Sequence, residues 1–170
     1  KKEAEELYVK YAYTHYYLHN YILSASYFQN FANTYITSPL REEAAYMSAY
    51  SNYLQSPDYK LEQGYTIKAI DELQNFINAY TKSTRIPEAN KLIDELRLKL
   101  ETKAFDEAML YFNLKEYQSA TITLNNMLKD FPDSQNAEKI RYFIVKSNYT
   151  LAENRKKKKK LERYETTLIA

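Results

Sequence analysis

Between Ala104 and Ser134 the chain reads AFDEAMLYFNLKEYQSATITLNNMLKDFPDS, a pattern that few folds accept. Ala104, Ala108 and Tyr111 recur at i, i+4 and i+7, one face of a helix. A short polar break follows at Asn113-Leu114-Lys115-Glu116. Tyr117, Ala120, Leu124 and Met127 then mark a second helical face, and Pro132 stops it. Small Ala108 and Ala120 let the two helices cross closely, and Tyr111, Tyr117 and Leu124 fill the volume around that crossing. The spacing predicts a helix–turn–helix repeat of about 34 residues, a unit that buries its apolar face by stacking on its neighbours.

The same unit recurs along the chain. Setting Tyr21 against Tyr117 puts Tyr8, Ala12 and His15 where Ala104, Ala108 and Tyr111 stand. Ser24, Phe28 and Phe31 then match Ala120, Leu124 and Met127, with His19-Asn20 as the turn. In the next repeat Ala12-Tyr13-x-x-Tyr16 returns as Ala49-Tyr50-x-x-Tyr53, and Ala69, Leu73 and Phe76 lie on the second helix. Between those two helices, Gln55 to Gly64 holds the only glycine and a Ser-Pro turn signal, which predicts a protruding loop. The second helices end alike, as Phe31-x-x-x-Tyr35, Phe76-x-x-x-Tyr80 and Met127-x-x-x-Phe131. A stripe of Leu92, Ile93, Leu96 and Leu100 predicts one long helix over 88–114, roughly 40 Å. A fourth repeat begins near Asn136, with Ile140, Phe143, Ile144 and Tyr149 on its apolar face. Its closing helix carries the basic run and Leu161-Glu162-Arg163-Tyr164. The expected fold is all-α: a single tetratricopeptide-repeat (TPR) superhelical solenoid of helix–turn–helix pairs over 1–170, with repeats at about 2–38, 39–83, 88–134 and 136–168.

Composition narrows the chemistry. One glycine cannot supply a Rossmann loop, a P-loop or a GxSxG nucleophile elbow. With no cysteine there is no disulfide framework, thiolate metal site or cysteine nucleophile. No apolar run reaches the length of a transmembrane helix. The chain opens directly in a helical pattern without Met, which leads us to expect a mature form or a fragment whose first segment is missing. His15 and His19 stand at i, i+4, but a catalytic zinc site needs a third ligand, so no metal site is expected. Glu5-Glu6, Glu42-Glu43 and Glu101 read as solvated helix starts, where negative charge complements the helix dipole. Neither an enzyme nor a cofactor site is expected.

Two surfaces remain as candidates for partner binding. By the repeat alignment the first helices present Val9, Tyr13, Tyr16 and Tyr17, then Tyr46, Tyr50 and Tyr53, then Phe105, Met109 and Phe112 towards a concave groove. Tyrosine joins a large apolar body to a polar tip, which suits an interface. The plainer reading is that these rings fill space between adjacent repeats. The second surface is the run Arg155, Lys156, Lys157, Lys158, Lys159 and Lys160. It reads as a solvated helix face by default, and otherwise as a contact for an acidic partner surface or lipid headgroups. No stacking aromatics are interleaved with it, so nucleic acid is not an expected partner.

Several phrases together resemble one family. They are SPLREEAAYMSAYSNYLQSP, TIKAIDELQNFINAY, EANKLIDELRLKLETKAF, LKDFPDS and YTLAENRKKKKKLERY, in that order over essentially the whole chain. They resemble the BamD family, the TPR lipoproteins of the β-barrel assembly (BAM) machinery in the outer membrane of Gram-negative bacteria. The resemblance implies a non-enzymatic scaffold on the periplasmic face of the outer membrane, held by an acylated N-terminal cysteine. It implies two partners, the POTRA domains of the barrel-forming subunit BamA and unfolded outer-membrane proteins awaiting insertion. The family's N-terminal half is associated with substrate recognition and its C-terminal half with the BamA contact. The lipidated cysteine is missing from this chain and four repeats are counted where the family has about five, so one N-terminal repeat is expected to be cut off or disordered. The alternatives are another cell-envelope TPR adaptor with a different partner, and a membrane or nucleic-acid binder acting through Arg155 to Lys160.

Overall fold

The computed structural model describes residues 2–169, with side chains for all of these except 160 and 162–169. Among the described residues there are seven helices and no strand: α1 (Lys2–Tyr17), α2 (Tyr21–Thr34), α3 (Arg41–Leu54), α4 (Gly64–Ala79), α5 (Ile86–Asn113), α6 (Tyr117–Asp130) and α7 (Ala137–Ile169). The chain is thus all-α and built of helix–turn–helix pairs. It divides into two compact units, Lys1–Leu100 and Glu101–Ala170.

In unit one α1 packs on α2, α2 on α3 and α3 on α4. The close approach comes from small residues at the crossings, since Ala12, Ser24, Ala49 and Ala69 are completely buried. Phe28, Phe31, Leu73 and Phe76 fill the core around them, and Leu92, Ile93 and Leu96 of α5 bury against the same cluster. Unit two repeats the scheme with Ala108 and Ala120 at the crossing and Leu124, Met127 and Ile140 as its core. Two of its expected fillers do not fill. Tyr111 is 41% exposed and Tyr149 67% exposed, so neither closes the core.

Two of the first helices, α1 and α5, end on one device. The amide of Asn20 donates to the His15 carbonyl at 2.8 Å and that of His19 to Tyr16 at 3.0 Å. Glu116 donates to Tyr111 at 2.9 Å and Lys115 to Phe112 at 3.0 Å. This is the Schellman ending, whose pivot residue is left-handed. His19 (φ 58) and Lys115 (φ 65) hold that conformation without being glycine. Lys115→Gly is therefore expected to stabilise unit two by about 0.5–1 kcal/mol, after allowing for the freer unfolded chain. Urea denaturation checks this, and a loss of stability would contradict it. Gly64, by contrast, has no positive φ and simply opens α4.

The second helices stop without needing proline. Tyr35, Tyr80 and Phe131 cap α2, α4 and α6 by donating to Phe31, Phe76 and Met127 at 2.9 Å each. Three residues on, Ser38, Ser83 and Ser134 donate back to those aromatic residues' carbonyls at 3.0, 2.9 and 3.1 Å. Their hydroxyls accept the amides of Leu40, Arg85 and Asn136. An aromatic-x-x-Ser turn thus recurs at each passage to the next first helix.

Three further expectations change. The loop over 55–63 is tied down and does not simply protrude. Gln63 is buried and donates to the carbonyls of Asp58 and Leu61 at 2.8 and 2.9 Å. Lys99 donates to the Ser56 hydroxyl at 2.6 Å, which itself meets Thr66 at 2.6 Å. Glu101 is not at a helix start; it lies inside α5 and accepts the Ser134 hydroxyl at 2.6 Å. The fourth helix pair is one continuous helix, α7, because no glycine or proline interrupts 137–169 and its run of Lys, Arg, Glu and Leu favours helix. Side chains of the closing segment Glu162-Arg163-Tyr164 lie outside the described residues.

Candidate functional site

The tyrosines of unit one form a connected strip along one face of α1 and α3. At helical spacing, Tyr46, Tyr50 and Tyr53 stack in series, with ring centroids 5.9 Å and 5.7 Å apart and planes 11° and 14° from parallel. Tyr16 reaches Tyr50 from α1 at 6.3 Å, and Tyr13 stacks on Tyr17 at 6.0 Å. The strip mixes support and surface. Tyr46 is 2% exposed and Val9 is buried, so both are core. Tyr13, Tyr16, Tyr50 and Tyr53 are half-buried, and Tyr17 is 72% exposed.

Charged residues pin the strip in place. The Tyr13 hydroxyl donates to the Glu43 carboxylate, and Arg85 donates to the other Glu43 oxygen at 2.6 Å. The Arg85 guanidinium lies 4.3 Å over the Tyr46 ring. At the far end the Tyr53 hydroxyl donates to Glu95 of α5 at 2.8 Å. Glu43 is therefore more than the solvated helix start its position implied. It fastens α1, α3 and the turn before α5 to one carboxylate.

These contacts set the ionisation of the phenols. Burial, then the hydrogen bond to Glu43, holds Tyr13 far above the ordinary phenol range. Burial, then the Glu88 carboxylate, does the same for Tyr46, whose buried hydroxyl has no well-formed hydrogen bond. The hydrogen bond to Glu95, then burial, pushes Tyr53 up to about 12. Burial alone would lower Arg85, but the Glu43 charge and hydrogen bond outweigh it and raise it.

A phenol raised by folding holds its proton longer in the folded state than in the unfolded chain. Its contribution is fully present below about pH 10 and is lost as pH climbs through about 12. Stability of unit one is expected to fall across that interval, and Tyr53→Phe to make the fall smaller. Urea midpoints at stepped pH, with tyrosinate absorbance followed in parallel, check this. An unchanged fall in Tyr53→Phe would contradict it.

In unit two Phe105, Met109 and Phe112 are half-buried. Phe112 and Phe105 meet Phe143 of α7 at 5.1 and 6.4 Å. Lys139 and Lys146 lie over their rings at 4.7 and 5.5 Å. The two phenylalanine rings pack α5 against α7 here. The basic run lies on α7, where Arg155 to Lys159 are all exposed and Lys156 pairs with Glu153 at 4.0 Å. The Lys160 side chain lies outside the described residues.

His15 and His19 face different neighbours. His15 packs with Tyr11 and Tyr27 in a cluster of three mutually touching rings, while His19 Nδ1 meets the Tyr21 hydroxyl at 2.6 Å. Among the described residues no group of three potential metal ligands converges, and no helix is long and apolar enough to cross a membrane.

A family model described as YfiO, outer membrane lipoprotein, matches residues 2–164. A comparison with curated proteins finds no match.

Proposed function

The chain belongs to the YfiO (BamD) family of outer membrane lipoproteins, and from that premise we propose that it acts as a non-enzymatic adaptor of β-barrel assembly. In this reading it sits on the periplasmic face of the outer membrane as a lipoprotein. It binds the POTRA-containing barrel subunit and helps recruit unfolded outer-membrane proteins. The observation that carries the reading is the half-open tyrosine strip of unit one. Tyr16, Tyr17, Tyr50 and Tyr53 offer flat apolar area held in fixed orientation, so little entropy is lost when a peptide lies on them. Strands destined for a membrane barrel alternate apolar and polar residues and carry aromatic girdles. Such a strand can lay its apolar, aromatic-bearing face on the strip and leave its polar face to solvent.

Unit two supplies the second contact in this account. Its α7 face and the exposed Arg155 to Lys159 are assigned to the barrel subunit or to neighbouring headgroups. The test is a pull-down from solubilised envelope with tagged full-length protein, identified by mass spectrometry. Near-stoichiometric recovery of a POTRA-containing barrel protein is expected. Recovery of a different envelope partner in its place would leave the helical repeats standing and remove the assembly role.

A further inference from the structure

Away from the tyrosine strip, α2, α3 and α4 meet around two adjoining cavities. One, of about 200 Å3, is lined by residues that include Gln29, Arg41, Glu72 and Phe76. The other, of about 260 Å3, is lined by residues that include Gln29, Asn52, Gln55, Tyr65, Lys68 and Glu72. Gln29 and Glu72 belong to both.

At that shared wall one hydroxyl faces three acceptors. Buried Ser48 Oγ lies 3.2 Å from the Ala25 carbonyl, 3.2 Å from Gln29 Oε1 and 3.0 Å from Glu72 Oε2. A hydroxyl has one proton, so it serves one of these three. Asn52 Nδ2 donates to Glu72 at 2.8 Å. Gln55 spends its amide nitrogen on the Ser51 carbonyl at 3.2 Å, while its Oε1 is buried with no hydrogen-bond partner. An oxygen that is short of donors costs free energy until something donates to it.

We propose that the larger cavity receives the guanidinium of an arginine side chain presented by a partner polypeptide. A guanidinium carries five N–H donors in a planar fork, enough for several acceptors in one lining. The Glu72 carboxylate makes one of those bonds charge-assisted, and the half-exposed Tyr65 ring at the rim offers a stacking face. The smaller cavity already has a guanidinium in its lining, because Arg41 enters from the start of α3 and its Nε donates to the Ala32 carbonyl at 3.0 Å. The larger one has Lys68, an exposed point charge 3.8 Å from Glu72, which a bidentate guanidinium displaces. This site is separate from the tyrosine strip and does not rest on the assembly role.

The test follows side-chain amide signals of Gln29, Asn52 and Gln55 by nuclear magnetic resonance in the full chain. N-acetyl-arginine amide is titrated against N-acetyl-citrulline amide, which keeps the shape and lacks the charge. Arginine is expected to move all three signals, with citrulline at least about tenfold weaker. Glu72→Gln is expected to weaken arginine about tenfold, and Lys68→Met to strengthen it about two- to threefold by removing the competitor. The Lys68 variant leaves the Asn52 hydrogen bond to Glu72 in place, so it decides the matter even where Glu72→Gln folds poorly. Equal shifts from the two probes, or weaker binding in Lys68→Met, would overturn the proposal.

Discussion

Replacing Tyr50 and Tyr53 together with alanine is expected to weaken binding of an aromatic-ended outer-membrane strand peptide by at least about tenfold, or roughly 1.4 kcal/mol. Tyr50 is the middle ring of the stacked series and the one that Tyr16 of α1 also meets. Tyr53 is the end ring, held by Glu95. Removing both erases the centre of the strip but leaves Tyr46 and Phe76 packed in the core. Alanine is the best helix former, so α3 retains its helicity. Fluorescence anisotropy of a labelled peptide, with circular dichroism as the folding control, measures the effect. Unchanged affinity in a folded variant would take the strip out of the account.

Phe28→Ala is expected to cost unit one about 3–5 kcal/mol, the range for truncating a fully buried aromatic side chain. Phe28 lies where α1, α2 and α3 converge, and its ring packs edge-on against Tyr13 at 4.9 Å. The cavity left behind also removes the floor beneath Tyr13 and hence loosens the Glu43 contact. Tyr17→Ala provides the contrast. Its ring is largely in solvent and stacks on Tyr13 from outside, so the loss should stay within about 0.5 kcal/mol. Urea denaturation of the two variants side by side checks this. A cost below about 1 kcal/mol for Phe28→Ala would mean that the crossing of α1 and α2 is not where the core sits.

The repeat was legible in the sequence because its signals are local. Small residues at fixed helical offsets, Ala12, Ser24, Ala49, Ala69, Ala108 and Ala120, mark every crossing, and all six are completely buried. The second-helix endings were legible for the same reason, although the serine three residues after each aromatic cap passed unnoticed. The pins of the candidate site were not legible. Tyr13 meets Glu43 across 30 residues, Arg85 meets Glu43 across 42, and Tyr53 meets Glu95 across 42. A pair that far apart leaves no periodicity to read. Glycine content misled at the loop, where the buried Gln63 amide, and not chain freedom, sets the conformation. Tyr111 misled because the same repeat position is packed as His15 against two tyrosines in unit one and left open in unit two. Which tyrosines support and which face outward followed from how α1, α3 and the start of α5 lie side by side, a tertiary fact.

In the proposed role the tyrosine strip meets unfolded outer-membrane proteins during their assembly. A photoreactive phenylalanine analogue in place of Tyr17, in cells assembling barrels, tests it most directly, because that position lies on the strip and its loss barely disturbs the fold. The account predicts a crosslink to an unassembled outer-membrane protein that disappears once the barrel has folded. Normal barrel assembly with no outer-membrane protein captured at position 17 would contradict it.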